Sequence, residues 1–458
     1  MRIYLETLGC RLNYAEMAAL GRQLVGAGHD LAASAAEADL CVLNSCTVTA
    51  EAARQSRQLA RRLARANPAG RLIVTGCYAT LEGEAVAQLP NVALVVGNER
   101  KEELLALVEE LDANCRLQIA NRTPVLSVVE GTQIAVSNTQ HATRNTQYAI
   151  RNPPSAIRTR AFVKVQDGCR NRCTFCIVTV ARGDERSRPV AEIVAEVNAL
   201  HAEGYQEAVL TGVHLGGYGS DLGTTPAELV VALLAETTIQ RLRLSSLEPF
   251  DLTPDFFDLW AASAGRLMPH LHLPAQAGSD AVLRRMGRRN RVADFEALVV
   301  AARSAIPGLT ITTDLIAGFP GETEEDFGQT VAFARRIGFA HMHVFPYSPR
   351  EGTAAARFTD QVPEVERKRR AHVLSDLDVE LGTTVRAAFI GQTRPVLWEN
   401  PEQTRFLGET WFVWAGLTDN YLRVLTAAPA DMDLHNRITP ARLLRVEGNA
   451  LWGEVVTR

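Results

Sequence analysis

The sequence predicts an α/β protein of three modules: an N-terminal parallel α/β domain, a central partial (β/α)6 barrel and a small C-terminal antiparallel β-barrel. Three observations support this fold class. The chain has 458 residues, more than a single hydrophobic core usually accommodates. Apolar runs alternate with helical stretches up to about residue 383, as in parallel sheets covered by helices. Short β-rich runs follow, so we expect modules at 1–113, 158–383 and 384–458, with a linker at 114–157.

The first module alternates short apolar runs with helical segments. Strands are expected at Arg2–Leu8, Leu40–Asn44, Leu72–Thr75 and Ala93–Val96. Helices are expected at Asn13–Gly26 and Thr49–Ala66, and the second should end at Asn67-Pro68. This alternation predicts a parallel sheet with both faces covered.

The central module contains six strand candidates, too few for a closed eight-stranded barrel. They are Ala161–Gln166, Ala208–Val213, Arg241–Ser245, Leu267–Leu273, Thr310–Ile316 and His341–Pro346. An open partial barrel is therefore expected, with its active site at the carboxyl ends of the strands.

The last module shows β-rich runs separated by glycine and proline, as in a small barrel. The runs are Val385–Ile390, Pro395–Trp398, Trp411–Trp414, Tyr421–Leu425, Arg442–Val446 and Leu451–Val456. This module carries eight arginines and eight acidic residues, so its charge alone gives no support for RNA binding. The linker contains a polar repeat, residues 139–145 and then 146–152, which predicts a disordered or loosely packed insertion without a function of its own.

Composition indicates an ordinary globular protein. Hydrophobic residues make up 47% and charged residues 22%, and the formal net charge is -4. No apolar run approaches the roughly 20 residues that span a bilayer, and the N-terminus lacks the pattern of a signal peptide. We expect a cytoplasmic protein without a membrane segment. In that reducing compartment the eight cysteines are better explained as ligands or buried residues than as disulfides.

Three cysteines lie within eight residues, just after the first barrel strand: Cys169, Cys173 and Cys176. Thiolates are the usual ligands of iron–sulfur clusters, and three ligands on a four-iron cluster leave one iron open to a cofactor. A structural zinc site would need a fourth protein ligand, and neither His nor Cys lies between Cys176 and His201. A zinc loop completed from afar, or inert cysteines, are the alternatives.

A second trio is spread over the first module. Cys10, Cys46 and Cys77 each follow one of its first three strands. The carboxyl ends of parallel strands share one edge of the sheet, so the three thiols should converge on a second cluster site. Gly9 and Gly76 would allow close backbone approach. The alternative is three small buried residues at strand ends. Cys41 and Cys115 belong to neither trio and are expected to be structural.

These motifs resemble those of the radical S-adenosylmethionine methylthiotransferases, over nearly the whole chain outside the repeat. The similar stretches are Thr7-Leu8-Gly9-Cys10 with Asn13, Asn44 to Thr49, Thr75-Gly76-Cys77, and Cys169/Cys173/Cys176 with Phe175. The family ends in an RNA-binding barrel of the TRAM type, which residues 384–458 resemble. Val178-Thr179-Val180 departs from the Ile-Pro-Tyr-like run expected after the cluster.

The family includes three substrate groups: threonylcarbamoyladenosine 37 of tRNA, isopentenyladenosine 37 of tRNA, and an aspartate of a ribosomal protein. The chain resembles the first group most closely. The supporting stretches are Thr211 to Gly216, Leu244 to Pro249 and His343 to Ser348. Two other hypotheses remain. One is a non-catalytic iron–sulfur or zinc RNA-binding protein, and the other is a different radical enzyme with an auxiliary cluster.

The resemblance implies S-adenosylmethionine and two [4Fe–4S] clusters. The cluster on Cys169, Cys173 and Cys176 would yield a 5′-deoxyadenosyl radical that takes hydrogen from C2 of the adenine. The cluster on Cys10, Cys46 and Cys77 would supply sulfur, and a second S-adenosylmethionine the methyl group. Cofactor contacts are expected along the barrel rim, where turn chemistry is the alternative: Phe175, Gly212, Ser246, Glu248, Gln276, Gly318 and Pro320.

The expected partners are the tRNA anticodon loop and an electron donor such as a flavodoxin or ferredoxin, and the enzyme is expected to be a monomer. Arg54, Arg57, Arg61 and Arg65 recur at helical spacing after Cys46 and could contact anticodon-stem phosphates. Two further arginine clusters lie at 284–291 and 367–370. Solvated helix faces are the alternative for all three clusters.

Overall fold

The computed structural model describes residues 1–121, 159–406, 409–429 and 431–456, without the side chains of 114–121, 402–406 and 409–411. The chain forms two compact units, residues 1–156 with 180–182, and residues 157–179 with 183–458. The polar repeat and nearly all of the expected linker lie outside the described residues, as does the side chain of Cys115. Within the described part, no helix has both the length and the apolarity to cross a membrane.

The first unit contains a five-stranded sheet of order β2-β1-β3-β4-β5, and every pairing is parallel. Its strands are β1 (Arg2–Thr7), β2 (Asp30–Leu31), β3 (Leu40–Ser45), β4 (Arg71–Gly76) and β5 (Val92–Val96). Its helices are α1 (Arg11–Gly26), α2 (Ala50–Ala66), α3 (Cys77–Leu81), α4 (Gly83–Ala87) and α5 (Leu104–Asn121). The predicted parallel sheet is confirmed; β2 is too short and polar to show in the sequence, and α5 runs past residue 113.

Side chains alternate between two cores, one on each face of this sheet. Leu43 packs with α2 on one face, and Val42 packs with α1 and α5 on the other. Cys41 is buried in the α2 core, where it acts as a small apolar residue.

The second unit begins with six parallel strands in chain order, as predicted. Sheets β6-β9-β10 and β11-β12-β13 are joined by parallel bridges from Leu242 to Leu267 and from Ser246 to His272. A separate antiparallel pair, β7 (Gln166–Asp167) and β8 (Arg186–Ser187), flanks the cysteine loop in sequence. The six barrel strands are β6 (Arg160–Lys164), β9 (Glu207–Thr211), β10 (Arg241–Leu244), β11 (His270–His272), β12 (Thr310–Ala317) and β13 (His341–Pro346). The expected partial barrel is confirmed.

Helices cover the outer face of this partial barrel. They are α6 (Val178–Arg182), whose last three residues group with the first unit, α7 (Val190–Ala202), α8 (Pro226–Glu236), α9 (Asp258–Ala262), α10 (Asp280–Arg285), α11 (Val292–Ala305), α12 (Glu324–Ile337) and α13 (Glu364–Ala387). Leu210, Leu271 and Leu315 of the strands share one core with residues of α7, α8, α11 and α12. The alternate residues of each strand face the inside of the barrel.

The chain ends in a closed five-stranded barrel of order β14-β15-β16-β18-β17. Its strands are β14 (Thr393–Phe406), β15 (Glu409–Thr418), β16 (Arg423–Pro429), β17 (Ile438–Glu447) and β18 (Ala450–Val455). Neighbouring strands run antiparallel, except that β16 and β18 pair in parallel.

The strand predicted at Val385–Ile390 is wrong. Helix α13 continues to Ala387, because its buried positions, including Leu377 and Leu381, extend at helical spacing to Arg386. Phe389 then packs on the core of the final barrel.

The turn after β15 packs against the amino ends of the central strands. Tyr421 adopts a positive φ of 72°, stacks on His270 with ring centroids 4.5 Å apart and lies under the Arg243 guanidinium at 4.8 Å.

Glu207 accepts hydrogen bonds from Arg243 at 2.7 and 3.1 Å, and Arg241 lies 3.7 Å away. Burial alone would raise the pKa of Glu207, but these arginines hold it at about 2.

Replacing Glu207 by glutamine should strongly destabilise the second unit. The substitution leaves Arg241 and Arg243, both nearly inaccessible, without their shared carboxylate, and breaking a buried ion pair typically costs about 3–5 kcal/mol. Urea unfolding of the full chain measures the change. Glu236→Gln, at an exposed helix end, is the matched control and should change stability by less than about 0.5 kcal/mol. Equal midpoints for the two variants would contradict the expectation.

Candidate functional site

The cysteine loop of the second unit is fixed by backbone hydrogen bonds. The Cys169 amide donates to Gly183 O at 3.1 Å, the Thr174 amide to Met286 O at 2.9 Å, and the Cys176 amide to Cys173 O at 3.1 Å. Burial raises the pKa of Cys169 to about 11 and that of Cys176 to about 12, and neighbouring thiols of the trio add to both increases. The three thiols therefore lie close enough to influence one another, as the sequence predicts.

One guanidinium faces this trio. The pKa of Cys173 is raised by burial, and Arg288 opposes that rise with Nη1 3.8 Å from the Cys173 sulfur. Arg288 also forms a bidentate ion pair with Glu248 and donates to Pro274 O at 3.0 Å. Arg288 was predicted only as part of an arginine cluster, because the sequence does not show that it folds back 115 positions to Cys173.

A buried histidine makes polar contacts with the same loop and with two carboxylates. His214 Nδ1 lies 2.7 Å from Glu185 Oε1 and Nε2 lies 2.5 Å from Asp251 Oδ2, while Asn171 Nδ2 approaches Nε2 at 3.3 Å. Burial lowers the pKa of His214, but the two carboxylates raise it above its ordinary value. These contacts of His214 could not be predicted from the sequence, where His214 is only part of a stretch of family resemblance.

One group of side chains at this loop has the ligand types of a zinc site. Cys169, Glu185 and His214 bring one ligand atom each within 4.8 Å of one another, but this group contains a single thiol. Glu185 also accepts from the Arg170 amide at 3.3 Å and from Ser220 Oγ at 3.1 Å. Three convergent thiols are the softer set, and they fit an iron–sulfur cluster better.

The predicted cofactor contacts follow the carboxyl ends of the barrel strands. Glu248 pairs with Arg288 beside Cys173, and Ser246 lies on the bridge between the two sheets. Phe175 packs edge-on against Phe319, with centroids 6.3 Å apart. A Cβ on Gly212 would lie 3.0 Å from Gln166 Oε1, so only glycine fits comfortably there.

At the remaining three predicted positions, backbone groups form hydrogen bonds with other parts of the protein. Gln276 has a positive φ of 67° and exchanges hydrogen bonds with β12. The buried Gly318 amide donates to Glu322 at 2.5 Å, and Pro320 O accepts from Arg285 at 2.9 Å. These contacts account for the turns at Gly318 and Pro320; contact of any rim residue with a cofactor stays a prediction.

The cysteines of the first unit meet at one edge of its sheet. The register places Thr7 opposite Asn44 and Ser45 opposite Gly76, so Cys10, Cys46 and Cys77 follow aligned strand ends. Gly9 has φ of 113°, and a Cβ there would lie 2.9 Å from the Cys46 sulfur. Burial raises the pKa of Cys46 to about 11, with Cys10 and Cys77 contributing. The predicted convergence of this trio is consistent with these contacts.

A buried polar network lies behind this trio. Glu16 accepts from Lys101 at 2.6 Å and from Arg182 at 3.0 Å, and all three side chains are less than 8% exposed. Arg182 also donates to Asn13 Oδ1 at 2.8 Å, while the thiol of Cys10 approaches the same oxygen at 3.6 Å. Burial lowers the pKa of Lys101 and Glu16 opposes that fall, while Arg182 opposes the rise that burial causes in the pKa of Cys46. No pattern in the sequence predicts that Glu16, Lys101 and Arg182 meet here.

The arginine stripe lies on α2, which begins four residues after Cys46. Arg54 pairs with Glu51 at 2.6 Å, and Arg57 lies over the Tyr78 ring at 5.7 Å. Arg61 and Arg65 are exposed. The other two clusters are largely engaged in ion pairs: Arg289 lies 3.7 Å from Asp251, and Arg370 is buried against Glu322 at 3.0 Å.

Two family models match the chain. Residues 163–334 match the radical SAM superfamily, and residues 2–97 match an uncharacterised protein family, UPF0004. The first match covers the cysteine loop and four of the six barrel strands in full, and it implies S-adenosylmethionine and a [4Fe–4S] cluster. The second covers the sheet that carries Cys10, Cys46 and Cys77.

Curated relatives match over almost the whole chain. The threonylcarbamoyladenosine tRNA methylthiotransferase MtaB of Bacillus subtilis is 36% identical over 93% of this chain and 90% of its own length. The MtaB of Thermotoga maritima is 34% identical over 92% and 89%. The tRNA-2-methylthio-N(6)-dimethylallyladenosine synthase of Sorangium cellulosum is 34% identical over 99% and 93%.

Solved structures share the fold. The radical S-adenosylmethionine methyltransferase TsrM of Kitasatospora setae superposes with a TM-score of 0.54 at 16% identity, over 78% of this chain and 75% of that one. At this identity the likeness shows the fold alone. Identity above 30% over nine-tenths of the chain shows more: the protein is a member of the radical S-adenosylmethionine tRNA methylthiotransferase family.

Proposed function

We propose that this enzyme adds a methylthio group to C2 of N6-threonylcarbamoyladenosine at position 37 of tRNA. The observation that carries the proposal is the presence of two separate three-cysteine groups, each at the carboxyl edge of a parallel sheet, in a chain whose relatives include enzymes named for this substrate. The relatives named for dimethylallyladenosine keep that nucleoside as the second candidate. An aspartate of a ribosomal protein is the third.

The cysteine loop of the second unit has the donors to hold a [4Fe–4S] cluster. Together with S-adenosylmethionine this group supplies the radical chemistry that an unactivated carbon requires. Cys169, Cys173 and Cys176 would hold the iron, and Arg288, which lowers the pKa of Cys173, would offset thiolate charge there. Phe175, Gly212, Ser246, Glu248, Gln276, Gly318 and Pro320 are proposed to line the cofactor site at the strand ends.

A second [4Fe–4S] cluster on Cys10, Cys46 and Cys77 is proposed as the sulfur source. Three thiols at aligned strand ends match the donor set of such a cluster. The Arg182 guanidinium opposes the rise that burial causes in the pKa of Cys46, and so lowers the cost of a thiolate at that buried position. The proposed division of the chain follows these sites, with modules at 1–113, 158–383 and 384–458.

One anaerobic experiment tests the function. The protein is reconstituted with iron and sulfide, reduced, and incubated with S-adenosylmethionine and tRNA that carries threonylcarbamoyladenosine. We expect a methylthio gain on that nucleoside by mass, together with released 5′-deoxyadenosine. If only dimethylallyladenosine tRNA or a ribosomal protein gains a methylthio group, the proposed substrate is wrong and the modified molecule is the substrate. A fully clustered sample that releases no 5′-deoxyadenosine would favour a non-catalytic iron–sulfur RNA-binding protein.

Further partners follow from this proposal. The target base in the anticodon loop must leave its stack to reach the barrel, as with other base-modifying enzymes. A flavodoxin or ferredoxin is proposed as the electron donor. We propose a cytoplasmic monomer, and we assign RNA binding to the final barrel together with the α2 stripe.

Neutralising Arg61 and Arg65 of the α2 stripe should weaken tRNA binding. Arg61→Gln combined with Arg65→Gln removes two candidate phosphate contacts, so the slope of log Kd against log salt should flatten by about 2. Fluorescence anisotropy with labelled tRNA at several salt concentrations measures both effects. Arg336→Gln, an exposed arginine on α12 that pairs with Glu296, is the control. Unchanged binding in the double variant would remove the stripe from the RNA footprint.

A further inference from the structure

The inside of the central barrel is polar along its last three strands. Leu271, Leu315 and Met342 pack outward in the core shared with the helices, so their strand neighbours point inward. Among these inward residues, His272 lies opposite Thr312, and Asp314 lies opposite His343.

Three of these inward side chains form a compact group on adjacent strands. His272 of β11, Asp314 of β12 and His343 of β13 bring one ligand atom each within 4.8 Å of one another. His272 Nε2 lies 3.3 Å from Asp314 Oδ1, and the rings of His272 and His343 are 5.8 Å apart. We call these three residues the lumen triad. None of them belongs to either cysteine site.

The lumen triad is held in position at its inner end and open at its outer end. Thr312 Oγ1 lies 2.9 Å from His272 Nδ1 and 3.0 Å from His270 Nε2, which orients the His272 ring. The His272 side chain is 8% exposed and that of Asp314 28%, while His343 is exposed. Exposure thus increases from His272 through Asp314 to His343, so a polar ligand that enters the barrel would meet His343 first and His272 last.

We propose that the lumen triad binds the threonylcarbamoyl group of the substrate, an inference that rests on the proposed function. This group hangs from N6, which flanks N1 on the same edge of adenine as C2, so it must enter the barrel with the reacting carbon. It carries a carboxylate, a hydroxyl and ureido N–H groups. An imidazole N–H of His343 donates to the carboxylate, and Asp314 accepts from a ureido N–H or the hydroxyl. His272, whose two ring nitrogens face Thr312 and Asp314, positions the Asp314 carboxylate.

The same chemistry explains discrimination between the two nucleosides of the family. A dimethylallyl group is a hydrocarbon and offers the triad no hydrogen bond. A site built to hydrogen-bond its substrate discriminates strongly against an analogue that lacks those groups, because its own polar atoms are then left unpaired.

The test compares two tRNA substrates in the reconstituted full-length enzyme. One carries threonylcarbamoyladenosine 37 and the other unmodified adenosine 37. We expect His343→Ala and Asp314→Asn each to lower kcat/KM on the first tRNA by about 10–100-fold, as expected for hydrogen bonds to a charged group. The preference for the first tRNA over the second should fall by a similar factor. His343→Gln, which keeps an N–H donor, should recover part of the loss.

Two readouts separate a recognition role from damage to the radical centre. Iron content and tRNA-independent release of 5′-deoxyadenosine should stay at the wild-type level in all three variants. His372→Ala, which replaces an exposed histidine on α13, is the control and should leave the substrate preference intact.

Four outcomes would overturn the inference. If the wild type modifies threonylcarbamoyladenosine and the variants keep its preference, the inference fails and the proposed function stands. If the wild type leaves that nucleoside unmodified, the proposed function fails first. Loss of 5′-deoxyadenosine release in both His343→Ala and His343→Gln would assign the triad to the fold or the radical centre. One equivalent of zinc in the wild type that is lost in His343→Ala would make the triad a cation site.

Discussion

Replacing Cys173 by alanine should abolish release of 5′-deoxyadenosine, and with it every methylthio product. The substitution removes one of three thiols that can hold the cluster, and it leaves Arg288 facing a site without its sulfur partner. We expect a loss of more than about 100-fold, because even an outer partner of a metal ligand typically contributes 10–100-fold. The readout is 5′-deoxyadenosine by mass after anaerobic incubation with dithionite and S-adenosylmethionine.

The iron content distinguishes this result from misfolding. A Cys173→Ala chain that is folded should retain about four of roughly eight iron atoms, since the site of the first unit is intact. Cys41→Ala is the control, because it removes a thiol that is buried in the α2 core and belongs to neither trio. Undiminished 5′-deoxyadenosine release by Cys173→Ala would show that the loop does not hold the reactive cluster.

Replacing Cys46 by alanine should separate the two halves of the reaction. The variant should lose about four iron atoms and all methylthio product, yet it should still release 5′-deoxyadenosine in the presence of S-adenosylmethionine. The physical reason is that Cys46 belongs to a different sheet and a different compact unit from Cys173. Iron analysis, nucleoside mass and 5′-deoxyadenosine are measured on the same sample.

The Cys46 result has its own control and its own contradiction. Cys41 lies in β3, five residues before Cys46, so Cys41→Ala reports the effect of removing a buried thiol from that strand without removing a ligand. It should retain about eight iron atoms. An iron count near four in the wild type, or full methylthio product from Cys46→Ala, would exclude a second cluster on this trio.

Most of the architecture could be predicted from local patterns. The parallel sheet of the first unit, the six barrel strands and the final barrel follow from alternation between apolar runs and helical segments, because each pattern reflects burial of one face. The one wrong strand, Val385–Ile390, shows the limit: a short apolar run suits a strand or the last turn of a helix, and only packing of α13 and Phe389 decided between them.

The two cysteine trios were predicted because chemistry and topology act together there. Cys169, Cys173 and Cys176 are close in sequence, and Cys10, Cys46 and Cys77 follow successive parallel strands, whose ends must share an edge. The spacing of the cysteines and the order of the strands therefore sufficed to predict that the thiols of each trio lie near one another, without knowledge of any side-chain contact.

The residues around the trios depended on the tertiary structure. Arg288 reaches Cys173 across 115 positions, and Arg182 reaches Glu16 across 166. The lumen triad likewise needs the register of three strands to bring His272, Asp314 and His343 together. Local sequence determines which segments become strands and helices, and hence where strand ends lie. Which charged side chains meet behind those ends depends on contacts between distant segments, and no periodicity in the chain encodes them.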